Sequence, residues 1–385
     1  MKKRVLIILR RLCIGGIQTQ VSLLAGEFLR SGCSVTVLVQ KEPRPNSAAV
    51  RMPDGVKVYC RDFDRESKLN PLIFFARILA MPFLYLLSGR IGRYYLPGIF
   101  ISRLTEKFIA GLEKGNGRFD LILIRGEGAF EPLYRMKHRN LWGVVEGVVP
   151  DFGRNCFTRH FARLIFGGKN IVCVSEGETL SLSAMFRKTG AVPARLETIL
   201  NFINSDYIKE RSLEEIPNLP EPGYLVTVGR LSRIKNQELA IRAMQYLPES
   251  VRLVLVGDGN CRCELESLAE SIGVRSRCFF VGNQPNPYPY IKNAAMLIHT
   301  SKHEAFGMVV PEALVLGKPV AVTEAPGGMR NILKGPLRAS IVPPDEKSLA
   351  KKIMEVLESG EKPDSSVLGE FSADKTAAKF LELHD

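Results

Sequence analysis

The sequence predicts an α/β protein built as two doubly wound domains, each a parallel sheet covered by helices on both faces. Three observations predict it. Short apolar runs alternate with amphipathic helical patterns through both halves of the chain. A polar, proline-bearing stretch, INSDYIKERSLEEIPNLPEPG near 203–222, divides those halves as linkers do. The chain has 385 residues, more than a single hydrophobic core usually fills.

In the first half the strand candidates are RVLIIL (4–9), SVTVLV (34–39), VKVYC (56–60), FDLILI (119–124), WGVVEG (142–147) and IVCVS (171–175). Several lack polar alternation, which fits strands buried on both faces. The first candidate follows Met1-Lys2-Lys3 and mimics the start of a signal peptide, but its apolar run is too short for one and Arg10–Arg11 follow. It reads as a first buried strand, closed by the Gly15–Gly16 loop and then a helix over about 17–31 that Gly32 ends. The second half repeats this grammar. YLVTVG (224–229), VRLVLVG (251–257), CFFVG (278–282), AMLIHTS (295–301) and KPVAVT (318–323) read as strands, with helices near 236–246, 261–272, 308–316 and 346–358. The expected domains are 1–203 and 204–365, with a C-terminal helix in 366–385 that can cross back to the first domain. Ser372 is its candidate N-cap.

Composition narrows the function classes. Hydrophobic residues make up 45% and charged residues 24%, which excludes disorder, collagen and a disulfide miniprotein. The eight cysteines are scattered with no zinc-ligand spacing, so reduced thiols in the cytosol are expected. The net charge of +13 is lopsided. Residues 1–200 hold 31 Lys and Arg against 16 Asp and Glu, a balance of +15, whereas residues 201–385 hold 22 against 24, a balance of −2. A basic half points to nucleic acid, anionic lipid or a phosphorylated acceptor, and no aromatic nucleic-acid-binding motif accompanies it. Residues 67–105 contain no acid, yet hold Lys68, Arg77, Arg90, Arg93 and Arg103 among many Leu, Ile, Phe and Tyr. Arg77 and Pro82 interrupt the apolar run, so the segment reads as helices lying on an anionic membrane surface rather than a span.

The chemistry concentrates in two stretches. In HTSKHEAFGMVVPEALVLGKPV (299–320), a strand ends at His299–Ser301, Glu304 follows in the loop, Phe306–Gly307 open a helix, and Glu312 lies on that helix. Helix starts and strand ends are where a diphosphate binds. A carboxylate beside an anion must serve neutral hydroxyls, so Glu304 and Glu312 suit a sugar and a ribose diol. In VGRLSRIKNQELAIRAM (228–244), Arg230, Arg233 and Lys235 occupy the loop after a strand. Fixed cations there match the charge that grows on a departing nucleoside diphosphate.

These two stretches, together with Gly15–Gly16, IVCVSEGETLSL, ILNFIN and LVGDGNCRCELE, resemble in order and spacing the retaining GT-B glycosyltransferases, specifically glycosyltransferase family 4 (glycosyl transferases group 1). The resemblance covers nearly the whole chain. It implies two facing Rossmann-like domains with an interdomain cleft, and a metal-independent transfer from a uridine or guanosine diphosphate sugar with no cofactor. Arg230 and Lys235 inherit diphosphate binding, Glu304 the transferred sugar and Glu312 the ribose. Gly282 and Asn283 fall near the base. Phe306, Gly307, Met308 and Val309 line the donor, and Gly15 and Gly16 approach it from the first domain. Many relatives place a His near where Glu146 stands, which makes Glu146 a catalytic candidate or, equally, a structural carboxylate, and Arg125 and Glu127 are candidates for the acceptor side. Asp62-Phe63-Asp64 matches the metal signature of the other large glycosyltransferase fold, but it reads as a solvated loop. Gly257-Asp258-Gly259 falls short of a dinucleotide fingerprint because Arg262 takes the last position.

The expected activity is transfer of a hexose-type sugar to a polyprenyl- or lipid-linked glycan in cell-surface polysaccharide or glycolipid synthesis. The expected place is the cytoplasm, peripheral at the inner face of the plasma membrane, with no nucleic acid as partner. The competing readings are a nucleotide-sugar epimerase of the same architecture and a basic membrane- or nucleic-acid-binding protein.

Overall fold

The computed structural model describes residues 2–13, 15–41, 50–69, 71–88, 91–126, 128–147, 149–216, 221–360, 362–364 and 366–383. The chain divides into two compact units, Met1–Phe202 with Ala373–Asp385, and Ile203–Ser372.

The first unit begins with β1 (Arg4–Leu9), α1 (Gly16–Arg30), β2 (Ser34–Val39), β3 (Lys57–Cys60), α2 (Phe63–Lys68), α3 (Pro71–Ser88) and α4 (Pro97–Glu113). It continues with β4 (Leu121–Arg125), β5 (Leu141–Val145), α5 (Cys156–Phe166), β6 (Asn170–Cys173), α6 (Glu176–Thr189) and β7 (Arg195–Thr198). The seven strands pair in the order β3-β2-β1-β4-β5-β6-β7. Every pairing is parallel. β1, β2, β4 and β5 are buried almost throughout, as unbroken apolar runs require when helices cover both faces. Local chemistry sets the helix ends. Asn155 and Thr158 form a reciprocal cap on α5. The Ser175 hydroxyl accepts from the Glu178 N–H at 3.1 Å, turning β6 into α6. Asp62, expected in a solvated loop, instead accepts from the Arg65 N–H through its carboxylate and caps α2. Asp64 pairs with Lys41 at 3.1 Å and Lys68 at 3.7 Å. These acids fix a helix start, and the charged composition of RDFDRESK concealed that.

The second unit contains α7 (Ser205–Arg211), β8 (Leu225–Val228), α8 (Gln237–Ala243), β9 (Leu253–Val256), α9 (Arg262–Ser271), β10 (Cys278–Gly282), α10 (Tyr288–Asn293) and β11 (Met296–His299). It ends with α11 (Val309–Val315), β12 (Val320–Thr323), α12 (Met329–Ile332), β13 (Ile341–Val342) and α13 (Glu346–Ser359). Its six strands run β10-β9-β8-β11-β12-β13, again all parallel. The chain then returns to the first unit as α14 (Ala373–Glu382), which packs on α1. The Thr376 hydroxyl donates to the Leu200 carbonyl at 3.2 Å.

In both sheets the strand order reverses once, between β1 and β4 and between β8 and β11. At such a point neighbouring connections leave toward opposite faces, and a crevice opens beyond the carboxyl ends of the two strands. The loops after β8 and β11 carry Arg230, Lys235 and Glu304. The loop after β1 and the end of β4 carry Gly15, Gly16 and Arg125.

Candidate functional site

In the second unit the loop after β8 is bound to its surroundings by backbone. The Gly229 N–H donates to Val256 at 2.9 Å, Leu231 to Asp258 at 3.1 Å, and Cys261 back to Leu231 at 3.2 Å. Gly257 permits this approach. Its φ is +139°, and a Cβ there would lie 2.0 Å from the Gly229 carbonyl oxygen. The GDG triplet is thus a close-contact device for the loop that carries Arg230. From the other side, the Thr300 hydroxyl donates to the carbonyls of Lys235 at 3.2 Å and Asn236 at 2.9 Å, and the Lys302 N–H donates to Ile234 at 2.8 Å. Asn236 holds a left-handed conformation, φ +52°, in this double tie. Such conformations persist where the surroundings over-determine them.

These ties bring Lys235 and Glu304 together. The ammonium stands 2.5 Å from Glu304 Oε2, and His299 Nε2 lies 3.4 Å from the same oxygen. Burial alone would raise the Glu304 carboxyl, but the nearby His299 and Lys235 outweigh it and hold its pKa at about 2. Glu304 is therefore a carboxylate at any working pH. Its backbone is clamped as well. The Glu304 N–H donates to Pro326 at 3.1 Å, and the Gly328 N–H donates to the Glu304 carbonyl at 2.9 Å. Gly327, at φ +117°, leaves so little room that a Cβ would sit 1.8 Å from that carbonyl oxygen.

Glu312, on the first turn of α11, has a different environment. Burial pushes its carboxyl up from 4.5 to about 7. The Tyr288 hydroxyl donates to it at 3.4 Å, and burial holds that phenol well above its usual range. The two glutamates of one strand-to-helix corner thus differ in state, one always charged and one titrating near neutrality.

The remaining residues sort as follows. Arg230 is exposed, and its carbonyl accepts from Gln237 Nε2 at 3.0 Å. Arg233 points away, 3.7 Å from Glu264. Gly282, at φ +75°, accepts from the Gly257 N–H at 2.8 Å, and Asn283 is exposed beside it. Phe306 is buried edge-on to Phe371 with ring centres 5.8 Å apart. Its side chain is core, and only its backbone remains for a ligand. Gly307 is buried, while Met308 and Val309 are half-buried.

In the first unit Gly15 precedes and Gly16 opens α1. Arg125 is the last residue of β4, not a residue just past the strand. It is buried, its guanidinium engages the buried Glu146 carboxylate, and it stacks 5.7 Å from the Phe380 ring centre of α14. Breaking such a pair leaves a buried charge and costs about 3–5 kcal/mol. The second Glu146 oxygen, Oε2, has no hydrogen-bond partner among the described residues. Glu127 lies outside the described residues. Sequence reasoning missed the structural neighbours of the site: His299, Thr300, Tyr288 and the Pro326–Gly328 clamp. Only the Gly327–Gly328 pair carried a local signal, that of a backbone in close contact. No group of three or more His, Cys, Asp or Glu side chains able to hold a metal occurs among the described residues.

Comparison with known proteins supports the fold. Residues 209–367 match the family model described as Glycosyl transferases group 1. A curated relative from Campylobacter jejuni is N-acetylgalactosamine-N,N'-diacetylbacillosaminyl-diphospho-undecaprenol 4-alpha-N-acetylgalactosaminyltransferase. It is 29% identical over 140 residues, 36% of this chain and 38% of the relative. The lipopolysaccharide core biosynthesis glycosyltransferase LpsE of Rhizobium meliloti is 25% identical over 220 residues, 55% of this chain and 63% of the relative. The chain spans only 27% to 38% of the length of the first three curated relatives that it matches. Among solved structures, Anabaena HepE in complex with UDP-glucose gives a TM-score of 0.66 at 16% identity, covering 98% of both chains. WaaG, a glycosyltransferase involved in lipopolysaccharide biosynthesis, gives 0.62 at 18% identity over 98% of this chain and 95% of its own.

One prediction tests the clamp. Gly327→Ala should lower the melting temperature of the second unit by an amount equivalent to about 1–3 kcal/mol or more, because backbone must move. Gly335→Ala, at φ +53° with nothing within 4 Å of its added Cβ, should cost only the left-handed penalty of about 1 kcal/mol. Equal losses, read by thermal unfolding, would remove Gly327 from the support of Glu304. The two sheets have the α/β GT-B fold, and residues 209–367 match the glycosyl transferases group 1 model.

Proposed function

We propose that the chain is a retaining, metal-independent glycosyltransferase of family 4. It moves a hexose-type sugar from a uridine or guanosine diphosphate sugar to a polyprenyl- or lipid-linked glycan in cell-surface polysaccharide or glycolipid synthesis. It works in the cytoplasm, at the anionic inner face of the membrane. The observation that carries this reading is the Lys235–Glu304 pair at the strand-order reversal of the second unit, on the loop that presents Arg230. Arg230 and Lys235 face the leaving diphosphate, where negative charge grows in the transition state. Glu304, permanently charged, accepts from hydroxyls of the sugar and keeps the Lys235 ammonium in place. Glu312 accepts from the ribose. Gly282 and Asn283 border the base, and the backbone from Phe306 to Val309 lines the donor. Gly15 and Gly16 are the first unit's donor-binding candidates, and Glu146 stands near the place of the His found in many relatives. Two similar proteins support the two substrates: a HepE structure holds UDP-glucose, and the Campylobacter enzyme is named for an undecaprenol-linked glycan.

Transfer of labelled sugar from a panel of nucleoside diphosphate sugars into membrane lipid extract tests the reading. Arg230→Ala and Lys235→Ala should each lower kcat roughly 10²–10³-fold, the scale of one oxyanion donor. Near wild-type turnover in both would remove the cations from the mechanism. Sugar interconversion with no acceptor present would point to an epimerase.

Glu312 gives a pH signature. Its folded pKa of about 7 exceeds its ordinary 4.5, so the folded state binds the extra proton between those values. Its contribution to stability is full below about pH 4.5 and is lost as pH rises through about 7. Ribose hydroxyls donate to the ionised form, so donor binding should release up to one proton and strengthen toward about pH 7, levelling above it. Tyr288 faces this carboxyl, with Tyr207 and Arg211 near the phenol, and burial holds the Tyr288 hydroxyl well above its usual range. Calorimetry of donor binding in buffers of different ionisation enthalpy should show the proton for the wild type and not for Glu312→Gln. A pH-independent donor affinity in the wild type would overturn the ribose assignment.

A further inference from the structure

Helix α3 has an unusual surface. Phe74, Phe75, Ile78, Leu79, Phe83 and Leu86 are all exposed, Leu79 at 79% and Leu86 at 82%. At 100° per residue these six side chains fall within one arc of about 180°. Leu84, on the opposite side, is buried. The helix packs against α2, α5 and the 3-10 turn Ile91–Tyr94. A continuous apolar face of this width is rare on a surface that stays in water.

Charge selects its partner. Residues 67–105 contain no Asp or Glu. Lys68 on α2, Arg93 in the 3-10 turn and Arg159 on α5 are exposed on the elements that pack on α3, and Arg103 on α4 is exposed as well. The acids of α2 are engaged, Asp64 by Lys41 and Lys68 and Glu66 by Arg61. A second copy of the same face would set these cations against each other, whereas an anionic lipid surface attracts every one of them within a screening length of about 8–10 Å. No helix among the described residues is long and apolar enough to cross a membrane, and Pro82 sits inside this one.

We propose that α3 lies in the plane of an anionic bilayer, its Phe74–Leu86 face sunk into the boundary between headgroups and acyl chains, with the flanking cations on the phosphates. The placement rests on the proposed reaction only in naming what the surface is for: it holds the first unit against the leaflet that carries a lipid-linked acceptor. In-plane helices of this type bury their apolar side about 5–10 Å deep.

The test is sedimentation of the full chain with vesicles of phosphatidylcholine, alone or with about one third phosphatidylglycerol. The wild type should bind the anionic vesicles and release partly at high salt. The triple variant Phe75→Ser, Leu79→Ser, Leu86→Ser should partition about tenfold or more weakly. All three positions are exposed, so its melting temperature and affinity for uridine or guanosine diphosphate should match the wild type. Arg93→Glu with Arg103→Glu should weaken binding to the anionic vesicles alone. Equal binding by wild type and triple variant would overturn the proposal. So would a wild-type failure to bind either vesicle, or a solution dimer that the triple variant abolishes. If vesicle binding follows the pattern but neither diphosphate binds the wild type, the enzyme reading fails and the membrane surface stands.

Discussion

The second unit depends on one ion pair made across a reversal of strand order. β8 and β11 lie side by side, so their outgoing loops meet at the carboxyl end of the sheet, and Lys235 and Glu304 close the gap between them. The pair is partly shielded from water. There an uncompensated carboxylate would be expensive and would take up a proton. With its cation present, Glu304 stays ionised. The arrangement supplies a fixed negative acceptor and a fixed positive charge within one contact, which is what a site for a polar sugar joined to a diphosphate needs.

The supports of that pair are mostly backbone. Thr300 ties the carbonyls of Lys235 and Asn236, Gly257 lets the strand after α8 crowd the loop of Arg230, and Gly327 does the same for Glu304. Side chains on rigid backbone lose little further freedom on binding, so more of the interaction energy remains for the transition state. The first unit shows the contrast. Its buried ion pair, Arg125 with Glu146, closes on itself at the end of two neighbouring strands but leaves Arg125 Nε and Glu146 Oε2 without a hydrogen-bond partner among the described residues.

Much of this was legible in the chain. Strands such as RVLIIL and SVTVLV announce themselves because burial on both faces leaves no polar alternation. The Glu304–Glu312 spacing stands out because it straddles a strand-to-helix corner. Three things were hidden. Asp62 caps a helix, but a carboxylate in a charged run looks the same whether it caps or is solvated. Arg125 belongs to its strand, and its burial depends on Glu146, 21 residues away. Tyr288 reaches Glu312 from α10, 24 residues earlier. Such contacts arise from tertiary packing, and no local pattern encodes them. The apolar face of α3 was visible as composition, but the direction it faces required the helix to be placed.

The central claim is that the loop after β8 and the carboxylates after β11 hold a nucleoside diphosphate. Calorimetric titration with uridine and guanosine diphosphates and with the matching nucleosides tests it most directly. One diphosphate should bind, and its nucleoside should bind about a hundredfold more weakly, since removing the phosphates removes what Arg230 and Lys235 are proposed to hold. Equal affinity for nucleoside and diphosphate would contradict it.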